Sequence, residues 1–113
     1  MSPPILLVKG SLDALVLRAL VLGPLHGFDI ATWLEERAGQ PLEIEESALY
    51  QALRRLEERQ LIASEWRVTP KNRQARYYRL TPSGRAHLKT ESKRWLRYAD
   101  MLRAVLGDAA PAR

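Results

Sequence analysis

The sequence of 113 residues contains no cysteine, and this absence excludes disulfide bonds and zinc sites built from thiolates. Its two histidines, His26 and His87, lie far apart in the sequence and do not make a metal site by themselves. Neither a glycine-rich phosphate loop nor a nucleophile elbow is present. We therefore expect no enzymatic activity, no catalytic residue, and no metal or other cofactor.

Long apolar segments are also lacking. The apolar run from Leu12 to Leu22 is interrupted by Asp13 and Arg18 and is too short to span a bilayer. No basic region precedes Ile5–Val8 and no cleavage motif follows it, so this stretch does not have the layout of a signal peptide. A chain without thiols or such a signal is expected in the cytoplasm, with no membrane association.

Charge is divided unevenly along the chain, whose formal net charge is +5. Residues 1–58 hold 5 Lys and Arg against 9 Asp and Glu, whereas residues 59–113 hold 13 against 4. The densest basic stretch contains no acidic residue and comprises Arg67, Lys71, Arg73, Arg76 and Arg79. A basic half beside an acidic half indicates a directed surface for a polyanion rather than general solubility.

The segment from Ser47 to Gln60 predicts an amphipathic helix. Leu49, Leu53 and Leu56 recur at helical spacing and form its apolar stripe. Hydroxyl, amide and guanidinium groups occupy the opposite side, on Ser47, Tyr50, Gln51, Arg54 and Arg55. Such groups bond phosphates and base edges, and a helix fits the major groove of DNA. An ordinary surface helix has the same pattern, but the hairpin that follows it favours DNA binding.

Two runs of strand character follow this helix. The first extends from Leu61 to Val68 and the second from Ala75 to Thr81, with turn formers and basic residues in 69–74 between them. The predicted hairpin, residues 67–79, has a shape suited to a groove or a phosphate backbone. Its candidate DNA contacts are Lys71, Asn72, Arg73 and Arg76. A solvated hairpin without a ligand is the alternative interpretation.

Three elements precede the amphipathic helix. Ser11 is the predicted cap of a first helix that ends near Leu22, and a second helix runs from about His26 to Ala38, with His26 in a turn or capping role. Residues 42–44 alternate apolar and polar, which is enough for a short strand. The first helix is apolar nearly all round, so we expect it to pack on a partner subunit through residues that include Leu12 and Leu15.

The C-terminal part predicts one long helix. Thr81 and Pro82 form a strong helix start, and the helix runs to about Leu106 before Gly107, followed by a frayed tail at 108–113. A seam typical of helix–helix packing consists of Leu88, Trp95, Ala99, Leu102 and Leu106. We therefore predict a dimerisation helix. Trp95 is either part of that seam or a stacking surface for a small aromatic ligand.

The order of elements predicts a mainly α fold with a small β-hairpin: a winged helix-turn-helix with an added long C-terminal dimerisation helix. We assign residues 1–80 to a winged-helix DNA-binding domain and residues 81–113 to the dimerisation helix and short tail, in one compact unit.

Particular stretches carry a family resemblance. They are KGSLDALVLRAL, GPLHGFDIA, SALYQALRRLEERQLI and NRQARYYRLTPSGRAHL, and they cover roughly residues 9 to 90. In these stretches the sequence resembles the PadR family of bacterial transcriptional regulators, especially its short-tailed type. The resemblance implies a homodimer that binds a palindromic operator and represses transcription, with intertwined first and last helices. It also implies that Tyr50 and Arg54 contact the operator, that Lys71 and Arg73 lie at the wing tip, and that a small aromatic effector can bind at the dimer interface.

The sequence departs from the usual family pattern at four positions. Ser47 and Gln60 stand where glycine is common, Ala48 replaces Thr or Ser, and Gln51 replaces a proline. Gln51 adds an amide that can bond adenine, so we expect a changed operator preference. Gln60 is a poorer left-handed cap than glycine, so the sequence alone does not predict whether the helix ends normally at this position. An alternative function is a winged-helix module that binds an acidic protein instead of DNA.

Overall fold

The computed structural model describes residues 2–107. It contains four helices and a three-stranded antiparallel sheet with the strand order β1-β3-β2, within that range. The elements are α1 (Ser11–Ala19), β1 (Leu25–His26), α2 (Gly27–Arg37), α3 (Glu46–Glu58), β2 (Ile62–Val68), β3 (Gln74–Leu80) and α4 (Pro82–Leu106). The predicted mainly α winged-helix architecture is confirmed. The predicted tail at 108–113 lies outside the described residues.

The first helix differs from its prediction at both ends. Its N-cap is Gly10 in a left-handed conformation (φ 91°), and the Ser11 hydroxyl donates to the Val8 carbonyl at 2.8 Å instead of capping the helix. The helix ends at Ala19, because the next residues form a tight turn in which the Gly23 N–H donates to the Leu20 carbonyl at 3.3 Å. The predicted cap and the predicted end near Leu22 were therefore both wrong.

The predicted strand at residues 42–44 is reduced to one parallel bridge between Ile5 and Leu42. The third strand of the sheet is β1, in which Leu25 pairs with Tyr78 and His26 pairs with Tyr77. A strand of two residues shows no alternation, so its sequence gives no signal. His26 also caps α2, since its Nδ1 accepts from the Asp29 N–H at 3.4 Å, as its predicted capping role required.

One hydrophobic core joins the first three helices, the sheet and the beginning of α4. Its fully buried side chains are Leu17, Leu20, Ile30, Leu53, Leu56, Ile62 and Val16. Leu12 and Leu88, which were predicted to face a partner subunit, belong to this core with exposures of 9% and 7%. These two residues are covered by their own chain and are not available for a dimer seam. Leu15 is half-buried against the same core.

The end of α3 is well formed despite the absence of glycine. Gln60 adopts the left-handed conformation (φ 61°), its N–H donates to the Glu57 carbonyl at 2.9 Å, and the Leu61 N–H donates to the Leu56 carbonyl at 2.9 Å. These two bonds are those of a Schellman motif, and buried Leu56 and Leu61 are its apolar pair. The Thr81 hydroxyl then donates to the Gln60 carbonyl at 2.8 Å. The helix end is thereby tied to the start of α4.

Helix α4 begins at that junction and leaves the core after about two turns. The Thr81 hydroxyl accepts from the Gly84 N–H at 2.9 Å, and Pro82 occupies the first turn. A Cβ at Gly84 would lie 1.8 Å from the Leu61 carbonyl oxygen, so only glycine allows this close approach. Beyond Leu88 the helix is mostly exposed, and a helix of 25 residues is about 37 Å long. No helix within residues 2–107 combines the length and apolarity that crossing a membrane demands.

Candidate nucleic-acid interface

Helix α3 presents one polar row to solvent. Ser47, Gln51 and Arg54 are exposed on the side opposite to buried Leu49 and Leu53. Residues three and four positions apart lie one above the other on a helix, so these three side chains form a continuous strip. The strip offers a hydroxyl, an amide and a guanidinium, which together can bond both phosphates and base edges. The structure thus brings together the residues that the sequence predicted for this face.

Tyr50 lies at one edge of this strip and contacts α2. A Cβ added at Gly27 would lie 2.5 Å from the Tyr50 hydroxyl oxygen, so the phenol ring packs against the first residue of α2. The ring nevertheless remains half-exposed. Tyr50 is therefore positioned by the helix-turn-helix pair and still reaches the surface.

Arg55 lies on the other edge of α3 and is held by the first helix. Its Nη2 donates to Asp13 Oδ1 at 2.6 Å, and its Nε donates to Asp13 Oδ2 at 3.4 Å. The hydrogen bond to Asp13 raises the pKa of the Arg55 guanidinium. Arg55 was predicted among the DNA contacts, but in this structure its charge links α3 to α1. Asp13 could not be identified as its partner from a local pattern, because the two residues are 42 positions apart.

The tip of the hairpin is a short and well-defined turn. The Asn72 N–H donates to the Thr69 carbonyl at 2.8 Å, the Thr69 N–H donates to the Arg73 carbonyl at 2.7 Å, and Asn72 has a left-handed backbone (φ 62°). This is the three-residue hairpin pattern, in which asparagine tolerates the left-handed position better than most residues. The turn leaves Lys71, Asn72 and Arg73 exposed at the end of the hairpin. Their placement at the tip agrees with the sequence prediction.

The base of the hairpin is fixed to α3 by a polar cluster. The Ser64 hydroxyl donates to Glu57 Oε2 at 2.6 Å, and Arg76 donates from Nε to Ser64 Oγ at 2.8 Å and from Nη2 to Glu57 Oε2 at 3.4 Å. The Arg76 guanidinium also lies over the Trp66 ring, 5.9 Å from its centroid. Arg76, a predicted DNA contact, is about half-exposed, and its hydrogen bonds tie the wing to α3 in this structure. Sequence reasoning missed Glu57 and Ser64, although period-two alternation places Ser64, Trp66 and Arg76 on one face.

A second feature lies beside residues 93–101 of α4. A groove of about 770 Å³ runs between the N-terminal arm and this helix, lined by Val8, Lys9, Lys93, Arg94, Trp95, Arg97, Tyr98 and Met101. The Trp95 Nε1–H is buried without a hydrogen-bond partner among residues 2–107, and the indole reaches Gly10 at the start of α1. Tyr98 meets the Trp95 ring edge-on at 6.3 Å. Ala99, Leu102 and Leu106, which the sequence assigned to a seam, are exposed.

Residues 2–107 contain no group of three or more histidine, aspartate or glutamate side chains arranged to hold a metal ion. The groups at the interface are hydrogen-bond donors, acceptors and guanidiniums, which bind polyanions without a cofactor.

The chain is similar to known proteins over most of its length. The profile of the family described as "Transcriptional regulator PadR-like family" matches residues 16–90. A PadR family transcription regulator from Clostridium difficile R20291 is similar at 27% identity, with a TM-score of 0.74, over 87% of this chain and 100% of that one. A PadR family regulator from Eggerthella lenta is 33% identical with a TM-score of 0.70, over 89% of this chain and 86% of that one. An uncharacterized protein from Lysinibacillus sphaericus is 26% identical over 85% of this chain and 88% of its own length. Because the profile covers most of the described fold, the chain belongs to the PadR-like family of transcriptional regulators, a family of DNA-binding regulators rather than enzymes.

Proposed function

We propose that this protein is a homodimeric repressor that binds a palindromic operator and acts in the cytoplasm at the nucleoid. The observation that carries the proposal is the exposed strip of Ser47, Gln51 and Arg54 on α3, set beside a hairpin with Lys71 and Arg73 at its tip. In this proposal residues 1–80 form the DNA-binding domain. Residues 81–113 form the dimerisation part of the same compact unit.

The interface divides into groups that supply affinity and groups that supply specificity. Arg54, Lys71 and Arg73 neutralise phosphates, so affinity falls with salt at a log–log slope of about −0.9 for each phosphate. Ser47 and Gln51 read base edges in the major groove, where a bidentate pair is worth roughly 1–3 kcal/mol of discrimination. Tyr50, at the edge of the α3 strip, and Asn72, at the wing tip, contact the DNA backbone. Arg55 and Arg76 hold α3 and the wing in place.

The exposed apolar side chains on α4 support dimerisation. Leu102 and Leu106 lie beyond the core, with further exposed apolar residues at Leu96, Tyr98, Met101 and Val105. Pairing of two such helices removes this surface from water and forms the seam that Trp95 and Ala99 extend. Two-fold symmetry then places the recognition helices about 34–36 Å apart, in successive turns of one face of the duplex.

Release from the operator by a small aromatic ligand is proposed at the groove around Trp95. The groove has the size of a small-molecule site, and the ring offers a stacking surface. Binding of such a ligand is measured by quenching of Trp95 fluorescence, with Trp95→Phe as the control.

The test of the proposed function is a selection of bound duplexes from a random pool, followed by sedimentation of the protein with and without the selected duplex. The expected result is an inverted repeat bound by two copies of the chain. A protein that sediments as a single subunit and binds no duplex in dilute buffer contradicts the proposal. A pulled-down acidic protein in place of DNA would instead favour the interaction-module function.

A further inference from the structure

The wing carries two exposed apolar side chains that the proposed DNA contacts do not use. Trp66 is 63% exposed and Val68 is 62% exposed, although both belong to a paired strand. Other exposed apolar residues on α4 are accounted for by the proposed dimer. An indole that stays in water does not gain the free energy of burial. Because Trp66 is exposed on a structured hairpin, we expect a binding partner to cover it.

The strand register decides which way these side chains face. One face of the hairpin carries the alternate β2 residues Ser64, Trp66 and Val68. The β3 residues that pair with them lie on the same face and are Tyr78, Arg76 and Gln74. Ser64 and Arg76 both bond Glu57 of α3 on that same face. Trp66 and Val68 therefore lie on the side of the wing that faces α3, and they extend that side toward the tip. We call this surface, formed by Trp66, Val68, Gln74 and Arg76, the inner wing face.

The inner wing face contains two apolar side chains, Trp66 and Val68, that are surrounded by basic groups. The Arg76 guanidinium forms an ion pair with Glu57 and also lies over the Trp66 ring. The exposed edge of the indole is therefore bordered by a cation that is already paired. Lys71 and Arg73 lie at the tip beyond it. On α3, Arg54 is exposed one helical turn before Glu57, which bonds this face. A partner that binds this face must have anionic groups that pair with the surrounding cations. It must also have apolar groups that pack against the indole. The sugar–phosphate backbone of DNA has both, because deoxyribose carbons alternate with phosphates.

We propose that the inner wing face is a contact surface for one strand of the duplex, with the Trp66 indole and Val68 packed against deoxyribose while Lys71 and Arg73 bond the flanking phosphates. This inference rests on the proposed DNA-binding function and adds an apolar contact to it. A second copy of the chain is a less suitable occupant, since it brings two basic wing tips together. The contact reads no base and strengthens binding to every duplex alike.

The experiment uses Trp66 as its own probe. In the double variant Trp33→Phe/Trp95→Phe, Trp66 is the only tryptophan, and its fluorescence quenching by acrylamide is measured with and without saturating duplex. The expected result is a severalfold fall in the quenching constant when the complex forms, with either the selected operator or a random duplex at low salt. An unchanged quenching constant in a formed complex overturns this inference alone and leaves the proposed function standing. Failure of the wild-type protein, which keeps Trp95 in the proposed seam, to bind any duplex overturns both.

Variants of the full-length protein give an independent measurement. Trp66→Ala should weaken binding to specific and random duplexes by roughly tenfold, the loss that removal of several tens of Å² of apolar contact produces. Its salt slope should stay unchanged because no phosphate contact is lost, and Trp66→Phe should recover part of the affinity. Leu22→Ala, at an exposed leucine in the turn after α1, is the matched control and should bind normally. Protection of Trp66 that grows with protein concentration in the absence of DNA would assign the face to a second copy and overturn the inference.

Discussion

At the scale of single residues, the arginines around the interface differ in what holds them. Arg55 is paired with Asp13, and Arg76 is bonded to Ser64 and Glu57, whereas Arg54 and Arg73 keep exposed guanidiniums. An uncompensated guanidinium can neutralise a phosphate without first breaking an internal ion pair. The same residue type therefore serves two purposes here, and only the neighbouring carboxylates distinguish them.

The division between affinity and specificity gives a first prediction. Arg73→Ala should weaken binding to all duplexes and reduce the salt slope by about 0.9, because one phosphate contact is lost. Gln51→Ala should leave the slope unchanged and reduce discrimination against a mismatched operator by roughly 1–3 kcal/mol. Fluorescence-anisotropy titrations on the selected and random duplexes, at several salt concentrations, measure both effects. Equal losses on both duplexes for Gln51→Ala would remove its proposed reading role.

Glu91 gives a prediction for acid stability. Arg94 donates to it from Nη2 at 2.9 Å and from Nε at 3.4 Å, and these bonds lower the pKa of the Glu91 carboxyl. Because the folded-state pKa is the lower one, the pair stabilises the fold above the ordinary pKa of 4.5, and this contribution is lost as pH falls through the folded-state value. Glu91→Gln should therefore be less stable than the wild type at neutral pH, with the difference disappearing in acid.

Urea unfolding from about pH 7 to about pH 3 measures that difference in the free energy of unfolding. Glu58→Gln is the matched control, since Glu58 is an exposed helical glutamate outside the ion pairs of residues 2–107. A constant difference between the wild type and Glu91→Gln across the range would contradict the prediction.

At the scale of elements, the end of α3 decides where the wing and α4 begin. The left-handed Gln60 lets Leu61 turn back into the core, and Thr81 bonds the carbonyls of both Gln60 and Leu61. Gly84 completes the junction by allowing its backbone to touch Leu61. The Leu-Thr-x-x-Gly segment of the sequence is thus explained by one packed joint between three elements. The Glu57 cluster then fixes the wing angle from the same end of α3.

The joint yields a stability prediction. A left-handed backbone costs a residue with a Cβ about 1–2 kcal/mol, and glycine avoids this cost but loses roughly 0.5–1 kcal/mol of chain entropy. Gln60→Gly should therefore raise the free energy of unfolding by up to about 1 kcal/mol. Gln60→Ala keeps the Cβ and should have nearly no effect, so it is the control. Equal stabilities for the glycine and alanine variants in urea titrations would show that the left-handed conformation is not strained.

At the scale of the whole molecule, the long axis is set by α4. The described residues span 58 × 34 × 22 Å, which is elongated for so short a chain because much of α4 projects past the core. The projecting part carries exposed apolar residues that include Leu102 and Leu106, while the wing is the β2–β3 hairpin of the sheet. Assembly and DNA contact are therefore proposed for separate parts of one subunit, which allows each to be altered without the other.

Two leucines of the predicted seam differ in burial, because Leu88 lies in the core of the subunit and Leu102 is exposed. Leu102→Asp should leave the subunit folded, because Leu102 is exposed in the single chain, but should convert the dimer to a monomer. Binding to the inverted repeat should fall by about 10²-fold or more, since linked half-site binding is lost. Leu88→Asp should instead destabilise the fold by several kcal/mol, because it buries an unpaired carboxylate.

Sedimentation, circular dichroism and operator titration measure assembly, folding and binding separately. Arg103→Ala, one position further along α4, is the control for Leu102→Asp. A Leu102→Asp protein that remains dimeric would place the seam elsewhere.

The local sequence determined the faces of α3, the start of α4 and the hairpin turn, but not β1 or the ends of α1. The Leu49, Leu53 and Leu56 stripe, the Thr81-Pro82 start of α4 and the turn formers at 69–74 all act within a few residues, so spacing and residue type were enough to predict them. The apolar stripe also predicted the recognition face of α3, because the polar strip lies on the opposite side of the helix.

The tertiary structure alone decided which charges are held and which apolar faces are covered. Asp13 meets Arg55 across 42 positions and Glu57 meets Arg76 across 19, so no local pattern links them. The sequence likewise marked Leu12, Leu88, Leu102 and Leu106 as equal members of apolar stripes, yet packing buries the first two in the subunit and leaves the others exposed. The physical reason is that helical periodicity specifies a face, whereas the partner of that face depends on how distant segments fill the core.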